Sequence, residues 1–205
     1  MPKGSPELTA ARKEEIVNAC ELLYQTKSFK DITLKDIGNV TSFTRTSIYN
    51  YFQTKEEIFL ALFEREYSRW NFDLRSILED NNTLTQEEFA KKIAKSLAAR
   101  PQLLKLLSMN NYDMEANSRP ELLTSFKVSY GASLKNVSMI LSKFCPEKSD
   151  KEIQNFIYIF FPFMFGIYPY TTVTDKQRKA MKKASVDYIY QSIFEITNTC
   201  LLKLL

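Results

Sequence analysis

Apolar residues recur at helical spacing along most of this chain, and polar caps mark where one run stops and the next starts. In Leu8–Gln25, Ile16, Ala19, Cys20, Leu23 and Tyr24 fall at i, i+3, i+4, i+7 and i+8, which predicts a helix with one buried stripe and Thr9 as its N-cap. The pattern breaks at "KSFKDI", and Thr33 then precedes a short helix over Leu34–Val40. Asp36 stands three residues after Thr33, as in a capping box. After "TSF", Thr44 is set to cap another short helix, Arg45–Tyr51, whose Ile48 and Phe52 face inward. Thr54 caps a long helix reaching about Leu78, with Glu56 and Glu57 where they favour the helix dipole.

Beyond a linker at "EDNNTLT" the helices lengthen. Thr85 caps one to about Ala98, and Pro101 opens another to about Tyr112. Pro120 opens a third, and Ser149 or Asp150 caps a fourth that is bent by Pro162 and ends near Tyr168-Pro169. Asp175 starts a last helix carrying Met181, Ala184, Tyr188, Ile189, Ile193 and Ile196 on one face. No run reads as a strand. The expected fold is all-α, with about nine helices. It has an N-terminal helix-turn-helix domain over 1–55 (with an N-terminal arm at 1–8), joined by the long helix to a C-terminal helical bundle over 56–205.

Composition narrows the function. Four glycines and seven prolines are too few for an all-β chain of 205 residues. With no histidine, the commonest general base and metal ligand are missing. No glycine-rich loop or ligand cluster replaces them, so neither enzyme nor cofactor is expected. Cys20, Cys145 and Cys200 are widely separated and read as reduced, space-filling thiols of a cytoplasmic protein. The net charge of +4 permits a nucleic-acid partner without requiring one. Ile153 to Thr174 is free of charge, but its dense apolar part, Phe156 to Ile167, is too short for a bilayer span. The aromatic run "NFIYIFFPFMFGIYPY" reads as core plus interface, with a ligand pocket as the alternative. "MNNYDMEANSRPEL" reads as a surface loop, with Tyr112, Asp113 and Glu115 as the alternative contacts for a cationic effector.

Two short helices about a tight turn, crossed by a third, form the helix-turn-helix plan. Its second helix must offer small or polar side chains to base edges and phosphates. Thr44, Arg45, Thr46, Ser47 and Asn50 meet that need, and Arg45 is able to donate two hydrogen bonds to guanine. Tyr49 and Tyr51 have hydroxyls long enough to reach phosphate, and Lys55 adds a cation beside the free N–H groups of the next helix.

"TLKDIGNVTSFTRTSIYNYFQTKEEIFLAL" resembles the DNA-binding domain of TetR/AcrR-family transcriptional regulators. The shared features are Thr33 before the second helix, the Ile37 core position, Tyr49-x-Tyr51-Phe52, and Lys55-Glu56-Glu57. The match runs from about Ala10 to Leu62. The resemblance implies a homodimer assembled through the last two helices. It also implies a palindromic double-stranded operator and, usually, repression relieved by a small-molecule effector in the C-terminal domain. The family's contact positions fall on Thr33, Thr44, Arg45, Thr46, Tyr49, Asn50 and Lys55. A dimer that answers to a protein partner, or to no effector, is the alternative.

Two positions depart from the family pattern. Ser42 stands where glycine is usual, and a left-handed turn there costs about 1 kcal/mol, so Ser42→Gly is expected to raise the melting temperature. Gly38 stands where alanine is usual, costing about 1 kcal/mol inside a helix.

Overall fold

The computed structural model describes residues 5–109 and 111–205. Among them are eleven helices and no strand. They divide into two compact units. The first takes the described residues of Met1–Arg65 and Asn110–Ser129, and the second takes Glu66–Met109 and Tyr130–Leu205.

In the first unit, α1 (Pro6–Thr26) begins earlier than its hydrophobic stripe. Proline suits a first helical position, and the hydroxyl of Ser5 accepts from the Leu8 N–H at 3.3 Å. Ser5 is therefore the cap in place of Thr9. The arm expected at 1–8 is helical from Pro6, and its residues 1–4 lie outside the described residues. Ile16, Ala19, Cys20 and Tyr24 are buried as the spacing requires, while Leu23 is half-buried. Burial pushes the Cys20 thiol up to about 12, so it stays an uncharged core group.

Next come α2 (Leu34–Val40), α3 (Arg45–Ile48) and the start of α4 (Lys55–Glu79). Phe59 of α4 takes the rings of Tyr24 and Phe29 edge-on, with centroids 5.1 and 4.7 Å away. Arg65 donates to Asn18, to Glu21 and to the Val17 carbonyl, tying α4 to α1. The expected helix from Pro101 to Tyr112 is two helices, α6 (Pro101–Leu107) and α7 (Asn111–Ala116). In α7, Tyr112 is 87% exposed, and Glu115 is paired with Lys127 at 2.6 Å. Asn110 of that polar stretch lies outside the described residues. The first unit is completed by the beginning of α8 (Pro120–Phe144), where Phe126 meets Phe63 at 4.9 Å.

The second unit holds the rest of α4 and α8 together with α5 (Gln86–Ala98), α6, α9 (Asp150–Thr171), α10 (Asp175–Lys183) and α11 (Ile193–Leu204). Thr85 and Ser149 begin α5 and α9 with reciprocal capping boxes to Glu88 and Glu152. The core groups Trp70 with Phe161 at 5.9 Å and Tyr67 with Tyr130 at 5.6 Å. Two of its polar pairs are matched: the Trp70 indole N–H donates to Ser96 at 3.0 Å, and the Asn136 amide donates to Asn71 at 2.9 Å. α11 packs mainly on α5 and also on α9.

Two expectations fail here. α9 runs through both Pro162 and Pro169 to Thr171 instead of ending near Tyr168-Pro169. Each proline lies on the exposed face, and so do Tyr158 and Phe165, four residues earlier. The carbonyls deprived of N–H partners are thus positioned to meet water. The single last helix is two: α10, capped by Thr174 and not Asp175, and α11, capped by Ser192. Ser185 leaves the helix at φ 54°, the β-branched and aromatic residues after it are weak helix formers, and the Ser192–Glu195 capping box starts a new one. No single described helix is long and apolar enough to cross a membrane.

Candidate nucleic-acid interface

The helix-turn-helix is built by caps at both ends. The Thr33 hydroxyl accepts from the Asp36 N–H at 3.2 Å, while the Asp36 carboxylate accepts from the Thr33 N–H at 2.9 Å. The Thr33 hydroxyl, and then its N–H, hold the Asp36 carboxyl below the usual carboxylate range. Thr33 is exposed, yet its hydroxyl proton is committed to Asp36 at 2.6 Å. At the far end of α2 the Thr41 hydroxyl lies 3.1 Å from the Gly38 carbonyl and 2.9 Å from that of Phe43, folding the chain into the turn.

Gly38 has a steric reason. A Cβ there would sit 3.1 Å from the Arg45 backbone nitrogen and 3.2 Å from its Cα. The missing side chain lets α3 lie directly on α2, which offsets the loss of helix propensity.

Ser42 overturns the expectation about the turn. Ser185 is the only described non-glycine residue with positive φ, so Ser42 is not left-handed. Its N–H donates to Glu15, and its hydroxyl accepts from Arg12 at 2.8 Å. Arg12 also lies 5.0 Å over the Phe43 ring and 3.3 Å from Glu15. The Ser42 N–H, followed by its hydroxyl, keeps the Glu15 carboxyl below its ordinary value. Residues of α1 therefore hold the turn, a role that local sequence patterns do not reveal.

Regular α-helix in α3 covers only Arg45–Ile48. Bonds from Tyr51 and Phe52 to the Ile48 carbonyl, at 2.9 and 3.0 Å, continue it as a turn where a helix to Tyr51 was expected. Thr44 has the extended backbone of an N-cap, but its side chain makes no capping bond and lies 3.3 Å from the Ser47 hydroxyl. Ile48 and Phe52 are buried behind. Thr44, Arg45, Thr46, Tyr49 and Asn50 are exposed, and Ser47 and Tyr51 are half-buried. The structure thus brings these seven expected residues onto one short segment. Arg45 lies along Tyr49, its guanidinium donating to the phenol oxygen at 3.1 Å and standing 5.9 Å from the ring centre.

Lys55 sits apart from that group. Its ammonium donates to the Phe29 carbonyl at 2.8 Å and lies 4.0 Å over the Phe29 ring. Behind α3, Glu57 does more than face a helix dipole. It is 1% exposed and accepts a forked pair of bonds from Arg119 at 2.7 and 3.0 Å, as well as the Gln53 N–H at 2.7 Å. The same guanidinium donates to the Tyr51 carbonyl at 3.1 Å, closing the segment's C-terminal end. Burial works to raise the Glu57 pKa, but the Arg119 and backbone hydrogen bonds outweigh it and hold the carboxyl below its ordinary value.

Comparison with known proteins agrees with this geometry. Residues 13–62 match the model of bacterial regulatory proteins of the tetR family, and residues 64–193 match that of the tetracyclin repressor-like C-terminal domain. The chain is 33% identical over 63 residues to the uncharacterized HTH-type transcriptional regulator YfiR of Bacillus subtilis (strain 168). That match spans 31% of this chain and 31% of the curated relative. The fold is similar to that of the TetR family transcriptional regulator PfmR from Thermus thermophilus, with a TM-score of 0.63 and 11% identity over 93% of this chain and 96% of that one. It is also similar to that of FadR from Bacillus subtilis in complex with stearoyl-CoA, with a TM-score of 0.60 and 15% identity over 93% and 96%. The all-helical fold, the capped helix-turn-helix and the two contiguous family matches lead to one conclusion: this chain belongs to the TetR family of transcriptional regulators.

Proposed function

We propose that the protein is a homodimeric repressor that reads a palindromic operator in double-stranded DNA and is released from it by a small-molecule effector. The observation carrying this reading is the exposure of Thr44, Arg45, Thr46, Tyr49 and Asn50 along α3 and its two flanks, with Ile48 and Phe52 buried behind them. Side chains of this kind, on a helix held from behind, are what a major groove accepts. Arg45 reads a guanine after leaving Tyr49. Thr44, Thr46, Ser47 and Asn50 contact base edges or phosphates. Thr33, Tyr49, Tyr51 and Lys55 position the domain on the backbone.

The outer face of α9 supports the dimer. Tyr158, Ile159, Phe165 and Tyr170 are exposed on a helix whose opposite face is core. A second copy packs there and on α11, and two α3 segments reading inverted half-sites in successive major grooves stand roughly 34–36 Å apart, one helical turn of DNA. The effector site belongs to the C-terminal domain, and the stearoyl-CoA complex of the similar FadR supports a small-molecule ligand for this fold. Effector binding changes the spacing of the two readers through α4. The protein works where the DNA is, in the cytoplasm.

Selection of bound sequences from random duplex DNA, at a stated salt concentration, tests the reading. A consensus with two inverted half-sites is expected. Recovery of unrelated sequences, with binding governed only by salt, contradicts it.

A further inference from the structure

Regular helix in α3 stops at Ile48, so Tyr49, Asn50 and Tyr51 lie beyond its last full turn. The N–H groups of Asn50, Tyr51 and Phe52 turn back to Ser47 and Ile48, and a short link, Gln53 and Thr54, then leads into α4. Three ties hold this end of the segment. Arg119 donates to the Tyr51 carbonyl at 3.1 Å, the Gln53 N–H donates to Glu57 at 2.7 Å, and the Thr54 hydroxyl donates to the Asn117 carbonyl at 3.0 Å. Asn117 and Arg119 lie between α7 and α8, in the later stretch of chain that groups with the first unit.

The Arg119 guanidinium is itself fixed. Its Nε and Nη2 donate to the two oxygens of Glu57 at 2.7 and 3.0 Å, and its Nη1 lies 3.6 Å from Glu121. The Arg119 backbone N–H also donates to Glu57, at 3.2 Å. An ion pair kept for stability would explain Glu57 and Arg119 alone. It is a weak reason for the pair, because well-packed apolar residues of similar volume often stabilise as much or more. It also leaves the ties to Tyr51 and Thr54 unexplained, since these run to the link that carries the reading residues.

We propose that Arg119 is a positioning residue for DNA reading. Gripped by Glu57, it sets through the Tyr51 carbonyl where Tyr49 and Asn50 stand against the DNA, and so fixes the base preference of the C-terminal part of the segment. Arg45 starts the regular turn of α3 and takes its place from that helix. The assignment rests on the DNA-reading function proposed above and deepens it, by making a residue from between α7 and α8 part of the reading machinery.

The test titrates the duplex selected by wild type, and duplexes altered one base pair at a time, with four proteins. These are wild type, Arg45→Ala, Arg119→Lys and the double variant Glu57→Gln/Arg119→Met. The double variant keeps an oxygen for the Gln53 N–H and strands no charge in the interior, so it should unfold in one cooperative transition with wild-type helix content. Arg119→Lys keeps a charge for Glu57 but lacks the fork that serves Glu57 and Tyr51 together. The double variant is expected to keep the preference that Arg45→Ala abolishes, and to lose about fivefold or more of its discrimination at other base pairs of the half-site. Arg119→Lys should show the same pattern to a smaller extent, and it decides alone if the double variant does not fold. Equal weakening on every duplex would make the pair a support of the fold only and overturns the proposal. Loss that includes the Arg45 base pair overturns it as well. Absence of a wild-type consensus overturns the regulator reading, whereas a wild-type profile kept by the variants overturns this assignment alone.

Discussion

Replacing Ser42 by glycine reverses a family-based expectation, so it discriminates well. If the turn were left-handed, glycine would relieve about 1 kcal/mol of strain and raise the melting temperature. The structure has no such strain to relieve, because Ser42 lacks a positive φ. Glycine instead adds freedom to the unfolded chain, costing about 0.5–1 kcal/mol. It also removes the hydroxyl that accepts from Arg12 at 2.8 Å. That bond is exposed and Arg12 keeps Glu15 and Phe43 as partners, so its loss costs about 0.5 kcal/mol, the low end for a hydrogen bond. Together these predict about 1–1.5 kcal/mol of destabilisation. At about 2–4 °C per kcal/mol for a chain of this size, the melting temperature falls by about 2–6 °C. Thermal unfolding followed by circular dichroism reads it directly. Ser42→Ala, which loses the hydroxyl without gaining backbone freedom, should fall by less than half as much. A rise in melting temperature for Ser42→Gly would refute the reasoning.

Arg119→Leu leaves the buried Glu57 carboxylate without its guanidinium and should cost about 2–4 kcal/mol at neutral pH, discounted from the buried-pair range because Arg119 is 33% exposed. The paired Glu57 has a lowered pKa, so its contribution is present above the unfolded value and is lost as pH falls through the folded value. In the variant, burial dominates and raises that pKa, so protonation relieves the cost. The stability gap from wild type should therefore start to narrow above the ordinary carboxylate range of about 4, where the variant's Glu57 protonates, and go on narrowing below it as wild type loses its pairing; a gap that widens as pH falls in urea titrations argues against the pairing. Gly38→Val drives a branched side chain at the Arg45 backbone and should cost about 1–3 kcal/mol, with DNA binding lost even where the protein remains folded; wild-type affinity would mean α3 does not depend on that approach.

The parts of this fold legible in the sequence are those encoded within four residues. Thr33 with Asp36, Thr54 with Glu57 and Thr85 with Glu88 mark helix starts through bonds that the spacing alone specifies. The recognition segment was legible for the same reason, since Ile48 and Phe52 bury one face and leave the polar residues on the other. What supports it was not legible. Arg12 and Glu15 reach Ser42 across about thirty residues, and Arg119 reaches Glu57 and Tyr51 across more than sixty; no local pattern names such partners. The split last helix was missed because Tyr188, Ile189 and Ile193 fit helical spacing, which outweighed the weak helix formers from Ser185 onward.

The most direct test of the central claim is a binding cycle on the selected operator. Wild type and Arg45→Ala are each titrated with the consensus duplex and with duplexes altered one base pair at a time. The account predicts that wild type loses about 1–3 kcal/mol at one guanine in each half-site, and that Arg45→Ala is indifferent to that base while keeping the other preferences. Equal weakening of Arg45→Ala on every duplex would reduce Arg45 to a phosphate contact. Unchanged binding by Arg45→Ala on all of them would contradict the claim that α3 reads the DNA through this residue.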